Sequence, residues 1–575
     1  MAPYIGRRMR RVEDERLITG RGRFAGDIKL EGLVHVAFAR SPLPHARINA
    51  IDTEPARKIP GVIAVWTAKD LDESSFEMRE WGPEDLIARP RPILNDKEVN
   101  YVGEAFAVVV AETEYQAKDA AEQIFAELDP LPGVGDVQTA IRAGAAKVHE
   151  DMSDNYARRH HATFGDIGAA FGKDSVTAKV HLTASRIGGA AMEPRAVTAA
   201  PDGDGLKIWT STQNVFGVRE TISGALGLEE EEVRVLAEDV GGGFGAKGSP
   251  FPEEVLVASA AKRLNRPARW VATRSEDGAT TSQAHGSLIE LEIASDRDGK
   301  LRGLRGRLVH DLGAYAGSGA GQPDLIIMHM LSAYVLPAMD VEAQLIYTNT
   351  VPTGFVRGGG RPLGNYAMER AMDRLAQALD IDPAELRRRN LIQPEQIPFT
   401  TGFPAGRRGL VYDSGDYPKL LELALEKLGD TRTITAGGRL VGVGVACCVE
   451  STSFGRGEPA KLRINKDGSA QMWIGSTPQG QGHQTIAAQV AADRLGWPAE
   501  KITVTAADTS HVPVAELTAG SRSAVHVGNA SAKAGASMRR MLLERAGEVL
   551  EADPVDLVID DGQISVKGAP GKSVP

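Results

Sequence analysis

The sequence is poor in the residues that build protein-held redox centres. It has two cysteines in 575 residues, Cys447 and Cys448, and they are adjacent. Adjacent cysteines rarely form a strain-free disulfide, and two thiolates cannot hold an iron–sulfur cluster, which needs four ligands. Within "VGVGVACCVE" they read as two small core residues. Any redox group must therefore be held without cysteine. No run of 18 apolar residues occurs, so no membrane span is expected. The formal net charge is -10 with both signs mixed along the chain, which argues against a nucleic-acid partner, since that favours a concentrated basic face. The N-terminus, "MAPYIGRRMRRVEDERLITGRGRF", has two Arg pairs but no apolar segment after them. Neither a secretory nor a twin-arginine signal is supported, and the cytoplasm is the expected compartment.

What is present is ordinary globular composition, 42% hydrophobic and 25% charged, in a chain too long for one core. Several domains are expected. Apolar runs such as "LVHVAFAR", "VIAVWTA" and "VGEAFAVVVAET" (102–113) read as strands. "EYQAKDAAEQIFAEL" (114–128) has helical spacing, and "DPLPGVGD" (129–136) ends it. These make an α+β unit to about residue 150. The polar stretch 148–175 reads as a linker or domain crossing. A second unit opens with "VTAKVHLTAS" (176–185) and contains helices over 252–266 and 364–381. A further helix starts at Asp382 as N-cap, with Pro383 at N1 and Glu385 completing a capping box. A third unit starts near residue 437, and 460–476 predicts a hairpin turning at Lys466-Asp467-Gly468. The tail reads as strand, Asp-Gly turn, strand and an open Pro/Gly end, stopping in the middle of a sheet.

One glycine-rich stretch, "DVGGGFGAKG", raises a phosphate-binding question. Gly241, Gly243 and Ala246 satisfy the dinucleotide pattern literally. Physically they fail it, because Pro250 and Pro252 hold the next helix back from the glycines, whereas that motif needs the helix N-terminus at the loop. The ATP loop fails too, since Lys247 is followed by Gly248. What remains is a loop able to approach a ligand closely, carrying Phe244. A tight turn with Phe244 in the core is the plain alternative. Three more loops share its character: "GFVRGGGRP" with Arg357 and Arg361, "STPQGQGHQT" with Gln481 between glycines, and the hydroxyl-rich "LTAGSRSAVHVGNAS". Several separated loops of donors suit one long anionic cofactor better than a single phosphate.

Taken in order, "MEPRAV", "WTSTQN", "DVGGGFGAKG", "DLGAYAG", "GFVRGGGRP", "DPAELRRRNLI" and "GQGHQT" resemble the molybdenum-binding large subunit of the xanthine oxidase family, the molybdenum hydroxylases. The nearest branch is that of aldehyde oxidase and aerobic carbon monoxide dehydrogenase large subunits. The resemblance implies a multidomain α+β fold: an α/β hammerhead-like domain (1–150), then two elongated molybdopterin-binding domains (151–430 and 431–575), the last incomplete. It implies a molybdenum–molybdopterin cofactor in cytosine dinucleotide form, with no direct metal ligand from protein. Gln213 matches the amide beside the metal. Gly243, Phe244 and Gly245 match the loop against the metal centre. Arg357, Gly480, Gln481 and Gly482 match residues near the pterin, and Thr518, Ser521 and Ser523 match its phosphate loop. Gln213 and Arg357 are the implied catalytic pair. Alternative roles are a strand-end polar residue for Gln213, a surface ion pair for Arg357 and helix caps for the hydroxyls.

The implied activity is hydroxylation of an aldehyde or N-heterocyclic carbon with oxygen from water. Electrons would pass to an iron–sulfur (2Fe-2S) small subunit and an FAD-binding medium subunit. The family's general-base Glu, in a far C-terminal Gly-Glu motif, is not in this chain, so either a second polypeptide supplies it or the chain is a truncation, and alone it is expected to be inactive without a C-terminal complement. Gly358 stands where carbon monoxide dehydrogenases carry Cys, which disfavours copper chemistry. Gly248 and Gly359 replace the Glu and Phe of purine-oxidising members and imply an open pocket. The competing expectation is an incomplete homologue acting as a cofactor-binding or scaffold protein.

Overall fold

A computed structural model describes residues 3–72, 76–78, 82–403, 409–429, 442–560 and 562–575. The protein is α+β, built on a seven-stranded sheet, a five-stranded sheet and several smaller ones. The seven strands run in the order Val233–Leu236, Gly205–Thr210, Ala196–Asp202, Ala268–Val271, Val34–Arg40, Ala105–Ala111, Val62–Thr67. Parallel pairing of Val34 with Ala268 joins the N-terminal strands to those from mid-chain. Ala105–Ala111 is valine and alanine buried from Phe106 onward, so it lacks polar alternation and packs against both layers. Helix α1 (Pro252–Leu264) is buried continuously from Pro252 to Ala261 against this sheet. Arg195 and Arg40 donate to the two oxygens of buried Glu253 at 2.9 and 3.1 Å. Burial alone would raise this carboxyl, but the guanidiniums outweigh it and hold Glu253 well below the usual range. That cluster ties the N-terminal strand, the mid-chain strand and α1 together.

The five-stranded sheet runs Val176–Ile187, Ala284–Ser295, Leu301–Gly313, Met339–Tyr347, Tyr156–Phe164. Helix α2 (Arg361–Leu379) lies on its first strand, and the short helix α3 (Pro383–Asn390) follows, capped by Asp382, which accepts from the Ala384 and Glu385 amides. The C-terminal unit has the expected hairpin, Ala460–Ile464 with Ala470–Ile474, extended by the parallel strand Ile502–Ala506. Helices α4 (His483–Leu495) and α5 (Ser523–Leu550) pack together on it. This unit docks on the free edge of the seven-stranded sheet. Ala237 N–H donates to Ala507 at 3.0 Å, Thr509 N–H donates to Val235 at 3.1 Å, and Arg234 grips Asp508 through two bonds.

The structure differs from the sequence reading at several places. The helix expected over 114–128 stops at Glu122, and Phe125–Pro130 is a strand paired with Ala46–Asp52. Short apolar runs fit both periods, and the free sheet edge decides. The 148–175 stretch is not a plain linker, because Tyr156–Phe164 is the polar edge strand of the five-stranded sheet. Glu385 does not complete a capping box but bonds Arg388 and Arg389. Cys448 is exposed while Cys447 is half-buried, since successive side chains of an extended segment face opposite ways. The tail is not open: Ala569–Val574 pairs with Gln563–Val566 as a third strand, where Pro570 sits exposed at the edge. The expected start of the third unit near residue 437, and its boundary at 431, lie outside the described residues.

The joint between α2 and α3 rests on one buried pair. Arg387 is fully buried and donates to Glu369 Oε2 at 2.8 Å and to Asp373 at 2.9 Å, while Tyr334 donates to Glu369 Oε1 at 2.7 Å. Arg387→Met leaves Glu369 buried without its counter-charge and is expected to cost about 3–5 kcal/mol of stability. The check is the shift of the denaturation midpoint in urea.

Candidate cofactor site

The first glycine loop leaves the strand Val233–Leu236 and crosses to α1. Gly242, Phe244 and Gly245 have φ of 99°, 55° and 99°. A Cβ on Gly243 would stand 2.6 Å from Gln213 Oε1, and one on Gly245 would stand 2.5 Å from the Phe355 carbonyl. Glycine is required there because the backbone itself is the contact surface. The plain alternative, Phe244 in the core, is not what is found: its ring is 42% exposed at the loop tip.

Gln213 is the point where the loops meet. It ends the strand Gly205–Thr210 by three residues and is 3% exposed. Its Oε1 accepts from the Gly245 amide at 2.7 Å, and its Nε2 donates to the Thr518 carbonyl at 2.7 Å. Its backbone N–H donates to Lys247 at 2.9 Å, and its carbonyl accepts from the Thr518 N–H at 3.0 Å. One residue thus ties the first loop to the fourth. The second loop is held to the first by Arg357 N–H donating to the Phe244 carbonyl at 2.7 Å. The third is held to the fourth by the Thr518 hydroxyl, which donates to the Thr477 carbonyl at 2.9 Å and meets the Ser476 hydroxyl at 2.9 Å.

Glu193, Ser211 and Lys247, given no site role from sequence, support the first loop from below. Glu193, in "MEPRAV", accepts from the Gly241 amide and from Ser211, both at 2.7 Å. Lys247 is buried and donates to the Glu193 carbonyl at 2.7 Å and to Ser211 at 2.6 Å. Burial lowers the Lys247 ammonium, with Glu193 opposing the shift. A small polar cavity beside them, lined by Lys247, Ser211, Thr210, Glu254 and Arg195, is about 10 Å³ and admits one water. Burial raises Glu254 to about 7 there. The sequence signal for Glu193 was present in the motif, but its partner Lys247 lies 54 positions away.

The remaining predicted residues fall into two groups. Those at the tips are exposed: Phe244, Arg357, Gly480, Gln481 and Ser521. The Arg357 guanidinium makes no ion pair among the described residues, so the surface-pair alternative is not what is found. Gln481 is turned onto Gln479, with bonds of 2.6 and 2.7 Å, and does not reach Gln213. Ser521 donates to Glu450 at 3.4 Å, and Ser523 is half-buried at the start of α5. Gly482, Gly359 and Thr518 are buried, and Gly248 and Gly358 are half-buried. At Gly358, φ is 106° and a Cβ would stand 2.5 Å from Pro362. Gly480 has no atom within 4 Å of where its Cβ would be, an open position at a tip.

Helices α2, α4 and α5 all begin at these loops, after Gly360, Gly482 and Arg522, and none has a side-chain cap. The first amides of α4 and α5 are left without side-chain partners and carry the positive ends of the helix dipoles, whereas at α2 the Arg361 and Leu363 amides donate to the Gly358 and Gly360 carbonyls and Pro362 has none. Beside them His483 is 1% exposed, with Nε2 unpartnered and its Nδ1 near Ser476. Burial lowers His483 to about 4. Uncapped helix starts, glycine backbones and an unpaired Arg fit a long anion such as a pterin with a diphosphate. Among the described residues no group of three or more His, Cys, Asp or Glu is placed to hold a metal ion.

Two outcomes follow from this geometry. Gln213→Leu leaves the half-buried Gly245 amide and the buried Thr518 carbonyl without their side-chain partner, expected to cost about 1–3 kcal/mol, and amide exchange should speed up at Gly245 and Thr518 together. His483 is neutral in the fold while the unfolded imidazole titrates near 6.5, so its contribution is complete above about pH 6.5 and is lost as pH falls toward about 4. Denaturation midpoints of His483→Gln should fall less steeply across that window than those of the unaltered chain.

Comparison with known proteins agrees with this geometry. The molybdopterin cofactor-binding domain family matches residues 148–391, and its second form matches 422–575. The hammerhead domain of aldehyde oxidase and xanthine dehydrogenase matches 19–132. The chain is 34% identical over 98% of its length to the nicotine 6-hydroxylase large subunit of Paenarthrobacter nicotinovorans, covering 71% of that protein. It is 33% identical over 97% of its length to the carbon monoxide dehydrogenase large chain of Hydrogenophaga pseudoflava, covering 74% of it. The crystal structure of quinoline 2-oxidoreductase from Pseudomonas putida 86 superposes with a TM-score of 0.90 at 32% identity, over all of this chain and 75% of that one. With two molybdopterin-binding regions, a hammerhead domain and relatives of 33–34% identity aligned over nearly all of this chain, the chain belongs to the large subunits of the molybdenum hydroxylases, the xanthine dehydrogenase family.

Proposed function

We propose that this chain is the cofactor-binding subunit of an enzyme that hydroxylates an N-heterocyclic or aldehyde carbon with oxygen from water. The observation that carries the reading is the meeting of four loops at Gln213, with exposed tips beside three uncapped helix starts. The heterocycle is favoured over the aldehyde by two relatives named for nicotine and quinoline. The site residues are proposed in the roles expected from the sequence, with the dinucleotide form of the cofactor in the same cradle.

When bound, the molybdenum cofactor supplies the two-electron acceptor for the C–H bond being oxidised. The chain's own residues bind and orient. The first amides of α4 and α5 hold negative charge. Phe244 and the Gly243–Gly245 backbone form a wall without polar side chains, and the second Nε2 proton of Gln213 remains available. Arg357 presents a fixed positive charge at the pocket mouth. Gly248, Gly358 and Gly359 line that mouth without side chains, and the left-handed backbone at Gly358 argues against a cysteine-held copper there.

A general base is a separate matter. Glu193 is held through Oε2 by Gly241, Ser211 and Lys247 beneath the loop, with Oε1 buried. Glu450 accepts from Ser521 and lies 3.9 Å from Arg361. This reading therefore assigns the base to polypeptide other than the residues described, and expects the isolated chain to bind cofactor without turning over. Electrons are proposed to leave through iron–sulfur and flavin partner subunits, since adjacent Cys447 and Cys448 cannot hold a cluster. The competing reading is a scaffold that binds no metal.

The test is the complex purified with its partners, assayed for molybdenum and pterin per chain and incubated with N-heterocycles in 18O-labelled water. The expected result is near-stoichiometric metal and one labelled oxygen in the product. A complex free of molybdenum and pterin would favour the scaffold. Arg357→Met should keep the cofactor and lose about 10²-fold or more in turnover, the scale for removing one preorganised charge.

A further inference from the structure

We infer that the N-terminal strap, residues 4–12, is the docking surface for the electron-accepting partner, and that it receives an acidic protein face. The inference rests on the redox reading above. Residues 4–13 do not hang free. Tyr4 and Ile5 both donate backbone N–H groups to the Asp493 carboxylate at 2.6 and 2.8 Å. Val12 N–H donates to the Thr485 hydroxyl at 2.9 Å, and the same hydroxyl donates to buried Glu13. Tyr4 and Met9 pack into the core beneath α4. The strap is thus a fixed ridge along α4, ending against the third cofactor loop, where Arg11 and Glu13 lie within 4 Å of the Gly482 position.

Its outer side is unusual for this molecule. Arg7, Arg8 and Arg10 are exposed and make no ion pair among the described residues. Ile5 and Val12, 49% and 45% exposed, flank them. In a chain of net charge -10 this is a concentrated positive patch with an apolar element. Other surface arginines nearby are neutralised, Arg21 by Glu15 and Arg23 by Glu238. The Arg7 guanidinium lies over the Tyr4 ring, 5.9 Å from its centroid, and keeps its outer face exposed, while backbone groups and Tyr4, Met9 and Glu13 do the anchoring. Charge complementarity therefore selects an acidic partner, and the exposed isoleucine and valine supply a desolvated centre for it.

The position selects a redox partner among acidic proteins. Electrons must leave this chain from the cofactor loops, and transfer weakens steeply with distance, so the acceptor has to dock on a surface that reaches those loops. The strap does so through Gly482 and the first turn of α4. It is not an amphipathic helix, which argues against a membrane surface as its occupant.

The experiment is the tagged chain purified with its co-produced subunits, scored for iron and molybdenum per chain. Arg7→Glu/Arg8→Glu/Arg10→Glu should lower co-purified iron by about tenfold or more while molybdenum stays unchanged, and the loss should deepen with added salt in the unaltered complex. The triple Lys variant should keep the iron. Ile5→Ser/Val12→Ser should lower iron at any salt. Unchanged iron in the triple Glu variant overturns the inference, as does parallel loss of iron and molybdenum, which would mark the strap as structural. Binding of the unaltered chain to anionic phosphatidylserine vesicles or to duplex DNA, lost in the triple Glu variant, would reassign the patch and overturn it as well. Absence of any iron-bearing subunit from the unaltered complex instead overturns the redox reading itself.

Discussion

The site depends on Gln213 using its backbone and its side chain at once. Four hydrogen bonds from one buried residue reach the first loop on one side and the fourth on the other. The loops come from regions about 30 and 300 positions away. An amide is suited to this because one end accepts and the other donates at the same length. A carboxylate would offer no donor to Thr518, and a hydroxyl would not span the gap. Gly243 and Gly245 are glycine for the same reason, since the amide must lie against bare backbone.

Buried charge recurs at the joints around that centre. Glu253 binds Arg195 and Arg40 where N-terminal and mid-chain strands meet. Glu369 binds Arg387 between α2 and α3. Arg522, just before α5, is fully buried against Glu458 and the carbonyls of Phe454 and Arg456. Such pairs add less net stability than their geometry suggests, but each admits one arrangement of the segments it joins. Loops whose tips must stay exposed are thereby fixed from underneath, while the tips themselves carry few internal bonds.

Much of this was legible in the sequence, and the limits have physical causes. The motif order identified the fold class, and Pro252 correctly marked where α1 begins. Gln213, Gly243, Gly245 and Thr518 were expected together and are found together. Gln481 was expected in the same cluster but turns onto Gln479, a local bond that loop composition does not reveal. Lys247 was visible, yet its burial onto Glu193 and Ser211 depends on strand pairing that single-sequence patterns cannot carry. The strand Phe125–Pro130 was hidden because five or six residues with mixed apolar character fit helix and strand equally. Tyr156–Phe164 was hidden because edge strands are polar by necessity.

The seven-stranded sheet has a consequence for how the chain is made. Val34–Arg40 pairs with Ala268–Val271, more than two hundred residues later. During vectorial synthesis the first apolar strands emerge long before the strand that completes their sheet, and the strand that carries Gln213 sits in that same sheet. Loop closure over such a span is slow, and exposed strand edges are prone to aggregate while they wait. A site that joins Gln213 to Thr518 is therefore complete only once both regions have been made, so its cradle forms late in the folding of this polypeptide.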